Sequence, residues 1–186
     1  MTEKETSKTS RFLSLILRHE PERVGLKLGE AGWVRADELL RAVNQHNVAL
    51  TLDDLKHIVT TSDKKRFAFS DDGLYIRASQ GHSVEVDLQY EPKTPPELLY
   101  HGTATRFLDS IHQDGLSRME RHDVHLSAET KVTLQVGGRH GKPVLLTIHA
   151  GDMHRAGHIF RCSANGVWLV NHIPPEYIDF PTGEAP

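Results

Sequence analysis

The chain has 186 residues, of which 38% are apolar, enough for one large hydrophobic core or two modest ones. Its net charge of −3 argues against non-specific nucleic-acid binding, which usually needs a strong positive excess. No apolar run approaches the roughly eighteen residues of a membrane span, and no hydrophobic signal segment follows the polar N-terminus. Cys162 is the only cysteine, so we expect a cytoplasmic protein without an internal disulfide.

Helices are predicted in the first sixty residues. An apolar helix over residues 12–17 should end by Glu20, because a proline follows. We expect Asp37 to cap a second helix. Thr51, with Asp54 three residues later, predicts a capping box at the start of a third helix.

A β-hairpin is predicted next. Phe67-Ala68-Phe69 alternates toward Ser70, Asp71-Asp72-Gly73 is a turn sequence, and Leu74-Tyr75-Ile76 forms a second short run. Helices followed by such a hairpin are typical of a winged-helix unit, a variant of the helix-turn-helix arrangement.

A proline-rich segment then divides the chain. Residues 91–97 contain three prolines and predict a linker between an N-terminal lobe, 1–90, and a C-terminal lobe, 98–186. The second lobe is predicted to be β-rich, which gives an α+β protein overall. Its predicted elements are strands over 98–101, 124–126, 144–148 and 167–170, and a helix over 105–113 that Gly115 ends.

Two of these segments carry polar residues, which we expect at strand tips that border a cleft. Their arginine, imidazole and hydroxyl groups suit a negatively charged substrate, most simply phosphates. The residues are His101, Thr103, Arg121, His125 and Ser127, and Gly102 between the first two would let a ligand approach the backbone.

Two basic segments of the first lobe have alternative interpretations. Arg18-His19 lies at a predicted helix C-terminus, where the helix dipole alone favours cations, yet the same pair could present a fixed face to the other lobe. Lys64-Lys65-Arg66 precedes the hairpin and is either a solvated turn or a phosphate contact.

No metal is expected, because the spacing of the histidine pairs is poor and no cysteine or acidic cluster completes a zinc site. The loop Gly137-Gly138-Arg139-His140-Gly141 lacks the Lys-Ser/Thr of a P-loop, and no G-x-G-x-x-G occurs. A dinucleotide, if bound, is therefore not held in the Rossmann manner.

Several different short segments occur in a characteristic order along the chain. They are Leu17-Arg18-His19, Gly32-Trp33-Val34, Lys65-Arg66-Phe67, Ile76-Arg77-Ala78 with Gly81-His82-Ser83, Tyr100-His101-Gly102-Thr103, Val124-His125-Leu126-Ser127 and Asn165-Gly166-Val167-Trp168. Each is weak alone. Through their ordered occurrence, the chain resembles the RNA 2′-phosphotransferase family over nearly its whole length.

The resemblance implies a winged-helix lobe followed by an NAD-binding lobe of ADP-ribosyltransferase type. It places the catalytic set of one histidine and three arginines on Arg18, His19, Arg66 and Arg121, with Arg139 as the alternative fourth member. It implies an NAD pocket with His101, Gly102, Thr103, Ser127, Arg139 and Asn165.

The implied function is NAD-dependent removal of an internal RNA 2′-phosphate through an ADP-ribosylated RNA intermediate. We expect NAD as co-substrate, RNA as partner, no membrane association and a monomer. Two alternatives remain. The chain could cap terminal phosphates of RNA or DNA with ADP-ribose, or it could be a non-catalytic winged-helix module that binds nucleic acid.

Overall fold

The computed structural model describes residues 2–62, 64–119, 122–130 and 142–181. Helices and sheets are mixed, which confirms the predicted α+β class. The chain divides into two compact units, Met1–Gln89 and Tyr90–Pro186, and each unit has its own hydrophobic core. Within the described ranges, no helix is long and apolar enough to span a membrane.

Helix α1 (Glu3–Arg18) opens the first unit and contains the predicted apolar segment. Thr2 and Glu5 form a capping box at its start, which satisfies backbone N–H groups that have no partner inside the helix. Leu13 and Leu17, four residues apart on one face, are fully buried in the core of this unit.

Helices α2 (Ala36–Gln45) and α3 (Leu52–Thr61) follow. The capping box of Thr51 and Asp54 at α3 is confirmed. The prediction that Asp37 caps α2 is wrong, because the preceding strand runs directly into the helix and makes Arg35 its N-cap. Asp37 lies in the first turn, where the helix dipole favours a carboxylate, and it accepts a 2.9 Å hydrogen bond from Nε of Arg35.

The sheet of the first unit consists of β1 (Val34–Arg35), β2 (Phe67–Phe69) and β3 (Tyr75–Ala78), in the strand order β1-β3-β2. Strands β2 (Phe67–Phe69) and β3 (Tyr75–Ala78) form the predicted antiparallel hairpin, with Gly73 in the turn at a φ of 71°. Strand β1 (Val34–Arg35) pairs with β3 and was not predicted, because two residues carry no periodicity.

The second unit is β-rich, as predicted. Its strands are β4 (Leu99–Ala104), β5 (Leu116–Ser117), β6 (Val124–Leu126), β7 (Pro143–Ile148), β8 (Arg161–Cys162), β9 (Trp168–Val170), β10 (His172–Ile173) and β11 (Ile178–Asp179), and its helices are α4 (Leu108–Asp114) and α5 (Ala150–Arg155). Two of its sheets have the strand orders β11-β7-β4 and β6-β9-β8, and β10 pairs with β5.

Helix α4 corresponds to the helix predicted over 105–113. It is preceded by a 3-10 turn, Thr105–Phe107, and it ends at Gly115 as predicted. Gly115 has a φ of 72° and a ψ of −164°, a region that is essentially restricted to glycine.

The proline-rich segment lies within the second unit and is hydrogen-bonded to the rest of it. The Lys93 N–H donates to the Phe160 carbonyl at 2.8 Å, and the Glu97 carboxylate accepts two hydrogen bonds, of 2.9 and 2.8 Å, from the Arg155 guanidinium. This guanidinium lowers the pKa of Glu97 below its usual value. A bidentate pair fixes the end of the segment at the point where β4 begins.

We predict that Gly115→Ala destabilises the second unit by about 3 kcal/mol or more, because the new Cβ would collide with the Ile173 carbonyl oxygen in a glycine-only conformation. Gly166→Ala is the control: its φ is 79°, but nothing lies within 4 Å of the added Cβ, so we expect about 1–2 kcal/mol. Urea unfolding measures both. Equal losses would contradict the steric argument.

We predict that Asp54→Asn weakens the protein at neutral pH and that its deficit disappears in acid. Hydrogen bonds from the Thr51 side chain and backbone hold the pKa of Asp54 below the usual 3.8. A depressed folded pKa contributes stability above pH 3.8, and this contribution is lost as the pH falls through the lowered value.

Unfolding at a series of pH values tests this, with Asp53→Asn, outside the capping box but in the same helical turn, as the control. A deficit for Asp54→Asn that stayed constant from neutral to acidic pH would contradict the prediction.

Candidate functional site

Three predicted site residues of the first unit lie together. Arg18 ends α1, His19 is its C-cap, and Arg66 immediately precedes β2. The Arg18 guanidinium donates a long hydrogen bond, 3.4 Å, from Nη2 to the Arg66 carbonyl. Residues 48 positions apart in the sequence are therefore neighbours, and the interpretation of Arg18-His19 as a helix end alone is incomplete.

A loop that follows the hairpin closes this cluster. The N–H groups of Ser83 and Val84 donate to the Arg18 carbonyl at 2.9 and 3.3 Å, and they satisfy an oxygen at the end of α1. The Ser83 hydroxyl lies 2.9 Å from Nδ1 of His19. We refer to Arg18, His19, Arg66 and Ser83 as the basic cluster.

The basic cluster combines charge with accessibility. Arg18 and Arg66 are half-buried, whereas His19 is exposed. The Arg18 guanidinium is partly engaged, because its Nε is buried and its Nη2 donates to the Arg66 carbonyl. A planar guanidinium is the side-chain group best suited to bidentate contact with phosphate oxygens, and all three residues are at least partly exposed.

In the second unit, His101, Gly102 and Thr103 lie inside β4, so their predicted position at a strand tip is wrong. The strand continues through Ala104 because its partner β7 pairs with it along its whole length, including His101 with Leu146 and Thr103 with Val144. Alternation along a strand puts His101 and Thr103 on one face of the sheet and Gly102 on the other.

Strand β4 also contacts the end of β6. Tyr100 and Ser127 exchange two backbone hydrogen bonds of 2.8 and 3.0 Å, and this bridge joins the two sheets. Nδ1 of His101 lies 3.0 Å from the His125 carbonyl. Because a carbonyl only accepts, Nδ1 carries the proton, and a neutral His101 ring then has its acceptor at Nε2.

Ser127 follows β6 directly, at the strand end where it was predicted. Its hydroxyl accepts a 3.0 Å hydrogen bond from the Glu129 N–H, a local turn that fixes the side chain. We refer to His101, Thr103 and Ser127 as the strand cluster, because the Tyr100–Ser127 bridge brings their backbones close together. Paired residues project to the same face, so the bridge puts Ser127 on the face of Tyr100 and Gly102. Thr103 lies two residues beyond His101, about 7 Å along the strand.

Asn165 lies in the turn between β8 and β9 and accepts a 2.6 Å hydrogen bond from the Ser163 hydroxyl. Strand pairing aligns Leu126 with Trp168, so this turn lies at the same end of the sheet as Ser127. The structure thus places Asn165 at the end of the sheet where Ser127 lies.

The remaining predicted site residues, Arg121 and Arg139, lie outside the described residues. Within the part of the chain that the structure describes, no group of three or more His, Cys, Asp or Glu side chains could hold a metal ion.

Sequence reasoning did not assign Ser83 or Tyr100 to the site. Ser83 belongs to a quoted Gly-His-Ser segment, but a single exposed hydroxyl has no periodic signal that would indicate its partner 64 residues away. The part of Tyr100 that matters is its backbone, which no residue type reveals.

The family model described as "RNA 2'-phosphotransferase, Tpt1 / KptA family" matches residues 4–172. A protein of Nostoc punctiforme named "Probable RNA 2'-phosphotransferase" is 51% identical over 178 residues, which cover 96% of this chain and 98% of the relative. Proteins with the same name from Streptomyces coelicolor and Pectobacterium carotovorum are 50% and 52% identical, over 97% and 91% of this chain and 98% and 92% of the relatives.

Proposed function

Because the chain belongs to the RNA 2′-phosphotransferase family, whose members are transferase enzymes, we propose that it removes an internal 2′-phosphate from RNA with NAD⁺ as co-substrate. The observation that carries this proposal is the basic cluster, in which the Arg18 guanidinium contacts the backbone of Arg66, 48 residues away, and Ser83 contacts His19. We further propose that the protein acts as a monomer in the cytoplasm.

The fold of each unit supports the division of labour in this proposal. Three helices and a hairpin extended by β1 agree with a winged-helix lobe over residues 1–90. Two sheets joined by the Tyr100–Ser127 bridge suit an ADP-ribosyltransferase-like lobe over 98–186, with 91–97 as the connecting segment. We assign the RNA phosphate to the first lobe and the dinucleotide to the second.

The proposed reaction has two steps and needs no protein nucleophile. An oxygen of the RNA 2′-phosphate attacks the anomeric carbon of the NAD⁺ ribose, and the bond to nicotinamide breaks. The 2″-hydroxyl of that ribose then attacks phosphorus, the bond to the RNA 2′-oxygen breaks, and the hydroxyl proton is transferred to the leaving oxygen. The products are RNA with a 2′-hydroxyl, nicotinamide and ADP-ribose 1″,2″-cyclic phosphate.

The basic cluster fits the electrostatic demand of both steps. Each step brings negatively charged phosphates together, and fixed guanidiniums offset their repulsion without reorganising during the reaction. Arg18 and Arg66 have this role in the proposal. His19 holds a phosphate oxygen or assists proton transfer. We propose Arg121 as the fourth catalytic residue, with Arg139 as its alternative.

The strand cluster supplies neutral donors and acceptors for the dinucleotide. A neutral His101 has its acceptor at Nε2, which suits a ribose hydroxyl, and the hydroxyls of Thr103 and Ser127 both donate and accept. Gly102 has no side chain to obstruct a ligand near the backbone. Asn165 and Arg139 complete the proposed NAD pocket.

One incubation tests the proposal. The protein is mixed with NAD⁺ and a short RNA that carries one internal 2′-phosphate, and the products are resolved by chromatography. Cyclic phosphate and dephosphorylated RNA support it. A stable ADP-ribosyl cap on an RNA or DNA end would indicate terminal capping instead. Tight NAD-independent RNA binding without nicotinamide release would indicate a binding module.

We predict that Arg18→Ala and Arg66→Ala slow the second step more than the first, so that ADP-ribosylated RNA accumulates. The second step expels an alcohol, a poor leaving group, from a phosphorus that is already esterified and charged, whereas the first step expels nicotinamide, a good leaving group, and needs mainly alignment. A loss of roughly 100-fold or more in the second step is expected. Arg66→Lys should rescue only partly, because an ammonium makes no bidentate contact.

Time courses with labelled 2′-phosphate RNA measure both steps. Arg41→Ala is the matched control: it removes an exposed guanidinium of the same unit that pairs with Asp37 on α2. Loss of nicotinamide release in both alanine variants, with no intermediate at any time, would show that these arginines serve binding or the first step.

We predict that Thr103→Ala and Ser127→Ala each weaken NAD⁺ binding by about five- to tenfold, the effect of one lost hydrogen bond. Calorimetry on the free protein measures this without RNA. Ser110→Ala is the control, since Ser110 lies on α4, outside the proposed pocket, and its exposed hydroxyl donates to the Phe107 carbonyl. Unchanged affinity in both variants would remove these hydroxyls from the proposed pocket.

A further inference from the structure

The segment from Ser79 to Val84 connects the parts of the basic cluster. At its start, the Ser79 N–H donates to the Arg66 carbonyl at 2.9 Å, and the Ser79 hydroxyl donates to the Lys65 carbonyl at 3.0 Å. At its end, the N–H groups of Ser83 and Val84 donate to the Arg18 carbonyl. The same short segment therefore fixes both arginine backbones.

The position of Ser83 within this segment is restricted from both sides. Gly81 has a φ of 87°, a left-handed conformation that turns the chain toward α1. His82 is 2% exposed and packs near Gly32, where an added Cβ would lie 3.4 Å from its Nε2. Because its neighbours are fixed, Ser83 meets His19 with little loss of freedom.

The hydrogen bond between Ser83 and His19 has a chemical consequence. A neutral imidazole carries its proton on either Nδ1 or Nε2, and the partner of one nitrogen decides which. A hydroxyl that donates to Nδ1 stabilises the Nε2–H form. A ring with Nδ1–H would direct the Nε2 lone pair at any anion that approached it, which is unfavourable.

We propose that Ser83 is a positioning residue for the transfer reaction: its hydroxyl donates to Nδ1 of His19, so that the neutral ring offers Nε2–H to the substrate phosphate. This inference rests on the proposed role of His19 in phosphate binding. Ser83 does not touch the reacting atoms in this assignment. It acts through the orientation and tautomer of the imidazole, as outer partners do for histidines that bind metals.

The first test observes the ring without any substrate. In the full-length protein labelled with ¹⁵N-histidine, the His19 signals are assigned by their loss in His19→Ala and recorded at a pH where the ring is neutral. We expect the Nε2–H tautomer in the wild type and in Ser83→Thr, which keeps the hydroxyl. Ser83→Ala should give a mixture of both tautomers.

The second test measures turnover with NAD⁺ and 2′-phosphorylated RNA. Ser83→Ala should lower kcat by about tenfold, as expected for one hydrogen bond, and Ser83→Thr should restore most of it. Ser79→Ala is the matched control for the tautomer, because it removes the hydroxyl bond that the same segment makes to the Lys65 carbonyl. Its His19 signals should match those of the wild type.

Several results would overturn the inference. A wild-type ring with the proton on Nδ1 contradicts the direction of the hydrogen bond. Unchanged His19 signals in Ser83→Ala, or equal activity of the alanine and threonine variants, contradict the positioning role. If the tautomers respond as expected but the wild type releases no nicotinamide, the proposed function is wrong while the assignment of the hydrogen bond stands.

Discussion

The hydrogen bonding of one carbonyl, that of Arg18, organises the first unit. The last carbonyls of a helix have no partner within it, and an unsatisfied polar group costs free energy when it is removed from water. Here the donors are the backbone N–H groups of Ser83 and Val84, which lie 65 residues and more along the chain. A requirement of helix termination therefore brings together the residues of the basic cluster.

The second unit uses the same principle with strands. Tyr100 and Ser127 satisfy each other's backbone groups, and this pair places the imidazole of His101 beside the His125 carbonyl. The tautomer of His101 then follows from strand pairing alone. In both units, backbone hydrogen bonds determine the positions of the imidazoles.

The sequence predicted features whose signal is local and periodic. Strand β6, the hairpin and the capping box at Thr51 were recovered because each depends on residues within a few positions of one another. The predicted N-cap of α2 was wrong because β1, which is only two residues long, leads directly into the helix and makes Arg35 the N-cap in place of Asp37. The strand β4 was predicted too short because its extension depends on pairing with distant β7.

The same distinction between local and long-range information applies to the residues of the candidate site. The basic and hydroxyl side chains could be proposed from the sequence because residue type alone indicates which groups can contact a phosphate. Ser83 was missed because its role depends on a neighbour 64 residues away and not on its own type. Sequence patterns indicate which residues carry chemistry, whereas the partners that orient those residues are set by tertiary contacts.

The net charge of −3 constrains how such a protein recognises RNA. At physiological ionic strength, exposed charges more than about 8 Å apart are largely screened from each other, so the acidic body of the chain does not cancel two arginines at a fixed site. Nor can it supply the long-range attraction by which basic proteins bind any phosphate backbone. Affinity must then come from a few hydrogen-bonded contacts of fixed geometry. In the function that we propose, such contacts favour one distinctive phosphate over the many ordinary ones of an RNA chain, because only a group that fits the guanidiniums of Arg18 and Arg66 gains their full interaction.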